Sequence, residues 1–451
     1  MRNEEYNRLS ESEFGASKEV VAFYAKSEVN PGEEGQKKTG ILGTSLNLVS
    51  STIGTGLLGL PLVLHVLGIV PGVIGIILSA FFGIVTGDLL LRCKNITAKE
   101  NFMGMAEASY KKTGIWIVNI CQIITNLGLG INYLIIFGTT VESLVATYAP
   151  QCTGKGVSTD PFFCQKWFYS LAVGILVLPF SFAKSMAKLA GASTVKVIAI
   201  ITFTLITVGY FINNLIKGDL SSDINFLPDV SKPVKVLGIL NIVTLSCSYQ
   251  FNLMPIYRSL ERRSDQRIKQ CILISAILTL FVYISMALSA FLSFGSKADD
   301  LLDSFTKNNI GDVFFIMLNV AFAISCSLSF PVVFFEARNV CYELVTGNAT
   351  SKDAKDEKKL STFGYIVMVI LLHSFPVAVA VFATSINNIF QLLGSTTMNC
   401  FVYLFPCLFY MKLTKGRGGL MSFAIGLLAF GIVMLIFGLW SSVLNFIEEY
   451  A

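Results

Sequence analysis

Long stretches without a single charged side chain alternate along the chain with short polar connections. Residues 39–87 contain no Asp, Glu, Lys or Arg, and further charge-free windows cover 113–141, 167–183, 197–216, 236–257, 270–296, 313–335, 360–411 and 418–447. A helix crosses a bilayer in roughly 20 apolar residues, so the first window and 360–411 each have room for two crossings. Gly68, Pro71 and Gly72 supply the turn in the first, and the polar run Thr384–Asn388 supplies it in the other. The remaining windows fit one helix apiece, 167–183 being short. The pattern predicts an all-α integral membrane protein with eleven transmembrane helices. Its apolar runs are continuous rather than alternating, which excludes a membrane-spanning barrel.

Composition supports this reading: 53% of the 451 residues are hydrophobic and 14% charged, too apolar to keep a soluble surface hydrated. Charge adds sidedness. With the N-terminus in the cytosol and helices alternating in direction, 21 Lys and Arg fall on cytosolic loops and 7 on the opposite side, with 6 in the N-terminal tail. The net charge of +5 is then a topology signal and not a nucleic-acid footprint. Three regions follow: a polar cytosolic tail over 1–39, expected to be disordered and without a signal peptide; a transmembrane domain over 40–445; and a short non-cytosolic tail over 446–451. Cys152 and Cys164 share the non-cytosolic loop 147–166, where an oxidising compartment would let them pair; the alternative is two free thiols. The sequons at Asn95 and Asn348 fall on cytosolic loops and are expected to stay unglycosylated.

Two windows share a pattern. Leu46-Asn47-Leu48-Val49 and Leu240-Asn241-Ile242-Val243 each precede a proline fourteen residues after the Asn, at Pro61 and Pro255. The first and sixth helices run in opposite directions, and interrupted helices at matching places are the mark of inverted-repeat secondary transporters. The run Ser51-Thr52-Ile53-Gly54-Thr55-Gly56 is poor helix. Unwinding there frees amide and carbonyl groups, which a membrane tolerates only around a cavity. The half-helix starting near Gly56 would point its positive dipole end at a carboxylate, and free carbonyls would accept an ammonium group or a cation. The competing reading is a small-residue packing face.

These residues carry a family resemblance. Asn47 to Pro61, with Gly54-Thr55-Gly56-Leu57-Leu58-Gly59-Leu60-Pro61, resembles the first helix of the amino acid/auxin permease family. Met254-Pro255-Ile256-Tyr257 before Glu261 resembles its sixth helix, and Ser329 to Arg338 the end of its eighth. The resemblance implies a five-plus-five inverted-repeat bundle carrying amino acids. It places substrate at Thr52, Gly54, Thr55 and Gly56, faced by Ser246, Ser248 and Tyr249, and a cation site near Asn47, Ser50, Ser325 and Ser329. A serine stands at Ser50 where sodium-coupled neutral amino acid transporters carry a second Asn, and the rest of the motif looks more like vacuolar amino acid transporters. Sodium coupling, proton coupling and exchange therefore stay open, as do vacuolar, lysosomal and plasma membranes.

Other polar residues have plainer readings beside functional ones. Asp88 sits four residues before Arg92, an i,i+4 pair; Glu142 would relay protons or snorkel; Glu336 near Arg338 is structural or part of an inner gate. His65 and His373 titrate near neutral pH or serve as hydrogen-bonded packing. Asn126, Gly128, Gly130 and Tyr133 face the site or pack closely. Basic Arg258–Lys269 is explained by topology. No Walker A run is present, which leaves an ATP-driven pump unsupported, and two histidines without a His-Glu-x-x-His run exclude an intramembrane metalloprotease; no cofactor is expected beyond a coupling sodium or proton. The function predicted is secondary transport of neutral amino acids; the alternatives are an amino acid sensor without net flux and, more remotely, a channel. Partners are the amino acid and the bilayer; oligomeric state is not legible.

Overall fold

The computed structural model describes residues 39–149, 152, 161–182, 190–228, 233–305, 311–347, 360–383, 385–414 and 418–450. The tail expected over 1–39, apart from Thr39, lies outside them, as do Asn348 and Thr384. Among the described residues all regular elements are helical, and the one β feature is an isolated bridge between Thr39 and Leu260.

The first span is broken into α1 (Ile41–Thr52) and α2 (Leu60–Leu67), joined by a 3₁₀ turn over Thr55–Gly59 and bent by 55°. Then follow α3 (Ile69–Thr97), α4 (Phe102–Tyr148), α5 (Lys166–Ser181) and α6 (Ala190–Lys217). The sixth span comprises α7 (Pro233–Ser246) and α8 (Gln250–Ser259). Beyond it come α9 (Asp265–Phe294), the short α10 (Leu301–Ser304), α11 (Asp312–Thr346) and α12 (Thr362–Phe382). The tenth span runs from α13 (Ile386–Leu393) through π-helical Gly394–Met398 and Cys400–Leu404 into α14 (Phe405–Leu413), and α15 (Gly419–Tyr450) closes the chain.

Nine of these described spans are long and apolar enough to cross a membrane, and the broken first span makes ten. The fourth, α5, has only 16 residues, about 24 Å of helix against a hydrocarbon core of about 30 Å. Helix α4 has a kink at Lys111, where φ is 56°, so the turns before it form a separate segment and the crossing proper starts where the charge-free window does.

The polarity of the molecule is inside out. Phe281, Phe382 and Ile216 are more than 70% exposed, whereas Asn119, Asn132, Asn241, Asn319 and Asn399 are wholly buried. Such an arrangement is stable with lipid around it. The two broken spans pack on each other, α2 against α7 and α1 against α8, which confirms that they run in opposite directions. Helices α4 and α11 form the most extensive helix pair. They are antiparallel: Gly130 sits against Phe330 and the Tyr148 hydroxyl donates to Asp312 at 2.9 Å.

Along α1 and at the end where it begins, polar ties join the halves. Thr39 N–H donates to the Ser259 carbonyl at 2.9 Å and Glu261 N–H to the Thr39 carbonyl at 2.8 Å. Asn252 donates to Ser51 at 2.8 Å. Lys94, nearly buried, donates to Asp265 at 2.7 Å and to the Tyr257 hydroxyl at 3.0 Å. Asp88 pairs with Arg92 as its spacing predicts, at 2.8 Å, and also with Lys269 at 2.5 Å. At the opposite end Cys152 and Cys164 are joined as a disulfide, with Cα atoms 5.7 Å apart. His373 is buried and packs as a hydrogen-bonded residue: Nε2 donates to the Gly174 carbonyl at 3.0 Å, leaving Nδ1 to accept from Ser181 at 2.9 Å.

Candidate functional site

Both interruptions are built from side chains that divert the backbone. In the first, the Thr52 hydroxyl donates to the Leu48 carbonyl at 2.8 Å, the back-bonding that bends helices. Ile53 and Gly54 are then extended (φ −73°, ψ 103° and φ −127°, ψ −160°). The chain recovers through the 3₁₀ turn, and Pro61 stands in the first turn of α2, where its missing N–H is not needed. In the second, Cys247, Ser248 and Tyr249 lie outside the helix. The Ser248 hydroxyl donates to the Leu245 carbonyl at 2.7 Å, and Gln250 Oε1 accepts from the Tyr249 N–H at 2.9 Å.

One side chain joins the two interruptions. The Tyr283 hydroxyl, from the middle of α9, reaches the Thr52 carbonyl at 3.0 Å and the Ser246 carbonyl at 2.7 Å. Each of these is the last residue of its half-helix. The breaks are also in direct contact: a Cβ on Gly56 would stand 2.6 Å from Ser246 Oγ and 3.1 Å from its Cα.

A cavity opens beside the first break. Its lining is Gly54, Thr55, Leu57 and Leu58 of the break, Tyr133 of α4, Ile200 of α6, and Phe322, Ser325 and Cys326 of α11. It leaves about 10 Å³ for the centre of a water molecule, about enough for one. An amino acid enters only when the lining parts. None of the described lining residues is charged. The Tyr133 phenol reaches Ser329, whose own hydroxyl donates to the Ser325 carbonyl at 2.7 Å.

The residues expected at the site are thus divided among different surroundings. Gly54, Thr55 and Ser325 line the cavity, with Ser329 one turn from it behind Tyr133. Thr52 contributes its carbonyl to Tyr283. Gly56 and Ser246 touch each other, and the Ser246 hydroxyl donates to the Ile242 carbonyl at 2.8 Å. Ser248 is buried against Met398. Tyr249 turns to α3, where its hydroxyl donates to the Gly83 carbonyl at 2.8 Å and its ring fills the space left by Gly87. Asn47 is exposed on α1 and Ser50 is half-buried there. Tyr283, Ile200 and Phe322 escaped sequence reasoning because each sits in an unbroken apolar helix. Of the α4 residues singled out, Tyr133 faces the cavity, whereas Gly128 packs on Leu393 and Gly130 on Phe330.

A polar-cored helical bundle, with two interrupted spans packed on each other and a small cavity beside the first break, defines a membrane transporter of the inverted-repeat class. The chain belongs to the transmembrane amino acid transporter protein family, whose model matches residues 37–447, in line with the motif resemblance. It is similar to amino acid transporter AVT6E of Arabidopsis thaliana, 26% identical over 402 residues, covering 86% of this chain and 79% of that one. It is also 28% identical to AVT6B of the same plant over 384 residues, 82% of each chain. Sodium-coupled neutral amino acid transporter 7 of Danio rerio is 25% identical over 391 residues, covering 84% and 80%. The fold matches the crystal structure of MhsT in complex with L-phenylalanine at a TM-score of 0.56, over 89% of this chain and all of the other, at 13% identity.

Proposed function

We propose that this protein is a secondary active transporter of neutral amino acids, working by alternating access around the breaks in the first and sixth spans. The observation that carries the reading is the cavity at Gly54 and Thr55: the extended and 3₁₀ backbone of the first break on one side, and uncharged, mostly apolar side chains on the other. Peptide N–H groups suit a carboxylate and peptide carbonyls an ammonium group. A charged substrate side chain would find no countercharge and would lose its hydration. The names of the relatives agree with an amino acid substrate.

Coupling to a cation, or exchange, completes the proposal. Ser325, Ser329 and the carbonyls of the first break are hard oxygen donors suited to sodium. Ser50 stands on the same helix as the break, while Asn47, exposed on α1, is the least favourably placed of the four expected cation ligands. The described lining residues include no carboxylate or imidazole, so a proton-coupled cycle through them would carry its proton elsewhere. The bias of Lys and Arg toward alternate loops supports a cytosolic N-terminus, in a vacuolar, lysosomal or plasma membrane. The test is uptake into sealed proteoliposomes with imposed sodium or pH gradients. Radiolabelled neutral amino acids should accumulate and be competed by one another, with lysine and glutamate failing to compete. Saturable binding without accumulation would replace transport with sensing.

A further inference from the structure

We propose that Tyr283 is a positioning residue of the conformational cycle: its hydroxyl pins the mobile half of the first broken span to the anchored half of the sixth. Releasing one of its two hydrogen bonds lets α1 swing away. The two acceptors, the Thr52 and Ser246 carbonyls at 3.0 and 2.7 Å, are helix-end groups of the kind left without an intrahelical partner. Both mark the negative ends of their half-helices. A phenol has one proton to donate, so the two carbonyls share it, and the longer bond, to Thr52, is the one that yields first. The ring is wholly buried, so no water stands ready to replace it.

The two halves that Tyr283 joins are held very differently. In α7 every residue from Asn241 to Ser246 is buried. Asn241 donates to the Met434 carbonyl of α15 at 3.3 Å, and Gly238 and Gly438 bring α7 and α15 into contact with no room for a Cβ. In α1 only Thr44, Ser45, Leu48 and Thr52 are buried, and Leu42 and Leu46 are 68% and 50% exposed. Its other ties include Ser51 to Asn252 and Thr39 to the chain around Leu260, on α8 and the turn after it, and the Ile41 carbonyl to the Cys271 thiol of α9. The Tyr283 bond to α1 also grips the anchored half. The small cavity and the shared proton therefore belong to the same state.

The inference takes from the transport reading only that the bundle opens at α1. Its test needs no transported solute, so it can be read even for a chain that carries nothing. Thr44→Cys places a thiol on the buried face of α1, and a membrane-impermeant maleimide is applied to the full chain in nanodiscs, with labelling at that site followed by mass spectrometry. Adding Tyr283→Phe, which keeps the ring and removes the proton, should speed labelling at least tenfold. Carrying position 283 as 3-fluorotyrosine, a stronger hydrogen-bond donor of nearly the same shape, should slow it about threefold. Tyr283→Met separates packing from hydrogen bonding. Labelling rates unchanged by both the Phe and the fluorotyrosine substitutions would overturn the proposal, as would acceleration by Met alone.

Discussion

Glycine sets how closely the two interrupted spans approach. A Cβ at Gly56 would press on the Ser246 backbone, which has no freedom to give way. Gly56→Ala should cost about 1–3 kcal/mol, seen as a lower melting temperature in detergent, and should remove uptake. Gly43→Ala is the control: its Cβ would make ordinary contact with Thr39 at 3.4 Å, so the melting temperature should hold or rise. Phe322 walls the cavity, and Phe322→Ala should shift competition toward amino acids with larger apolar side chains. At this scale the sequence was informative wherever the function needs a failing helix. Thr52, Gly54 and Thr55 stand out because poor helix formers at mid-membrane require a reason. Tyr283 and Phe322 do not stand out, since an aromatic residue in an apolar helix looks the same facing lipid, a neighbour or a cavity. Tyr249, expected at the site from its place in the sixth span, donates its hydroxyl to the Gly83 carbonyl at 2.8 Å.

Among the elements, the breaks were legible because proline, glycine and threonine recur at matched spacing. The short window 167–183 already pointed to the short α5. One feature of the helices was hidden. The π-helical stretch over Gly394–Leu404 leaves the apolar pattern unaltered; what shows its role is Gly394, which meets the Asn241 carbonyl where any Cβ would collide. The connection of α3 to α8 and α9 depends on Lys94, whose nearly buried ammonium bonds Asp265 and Tyr257. Lys94→Met should cost about 1.5–3 kcal/mol, measured by thermal unfolding. Asp265 is partly exposed, so water takes up some of the lost interaction and the lower end of that range is expected.

For the whole molecule, the exposed apolar surface was legible in the sequence, since the bilayer imposes it on long charge-free helices. The disulfide was left open there because pairing depends on where the chain brings Cys152 and Cys164; the fold brings them together. Alkylation of the denatured protein should modify eight of the ten cysteines before reduction and all ten afterwards; ten before reduction would contradict the pairing. The central claim is that an amino acid is carried through the cavity at the first break, and accumulation of a radiolabelled neutral amino acid in proteoliposomes, wild type against Gly54→Leu, tests it most directly. The wild type should accumulate solute above equilibrium, and the variant, equally inserted but with its cavity filled, should accumulate none. Equal uptake by the two would contradict the account.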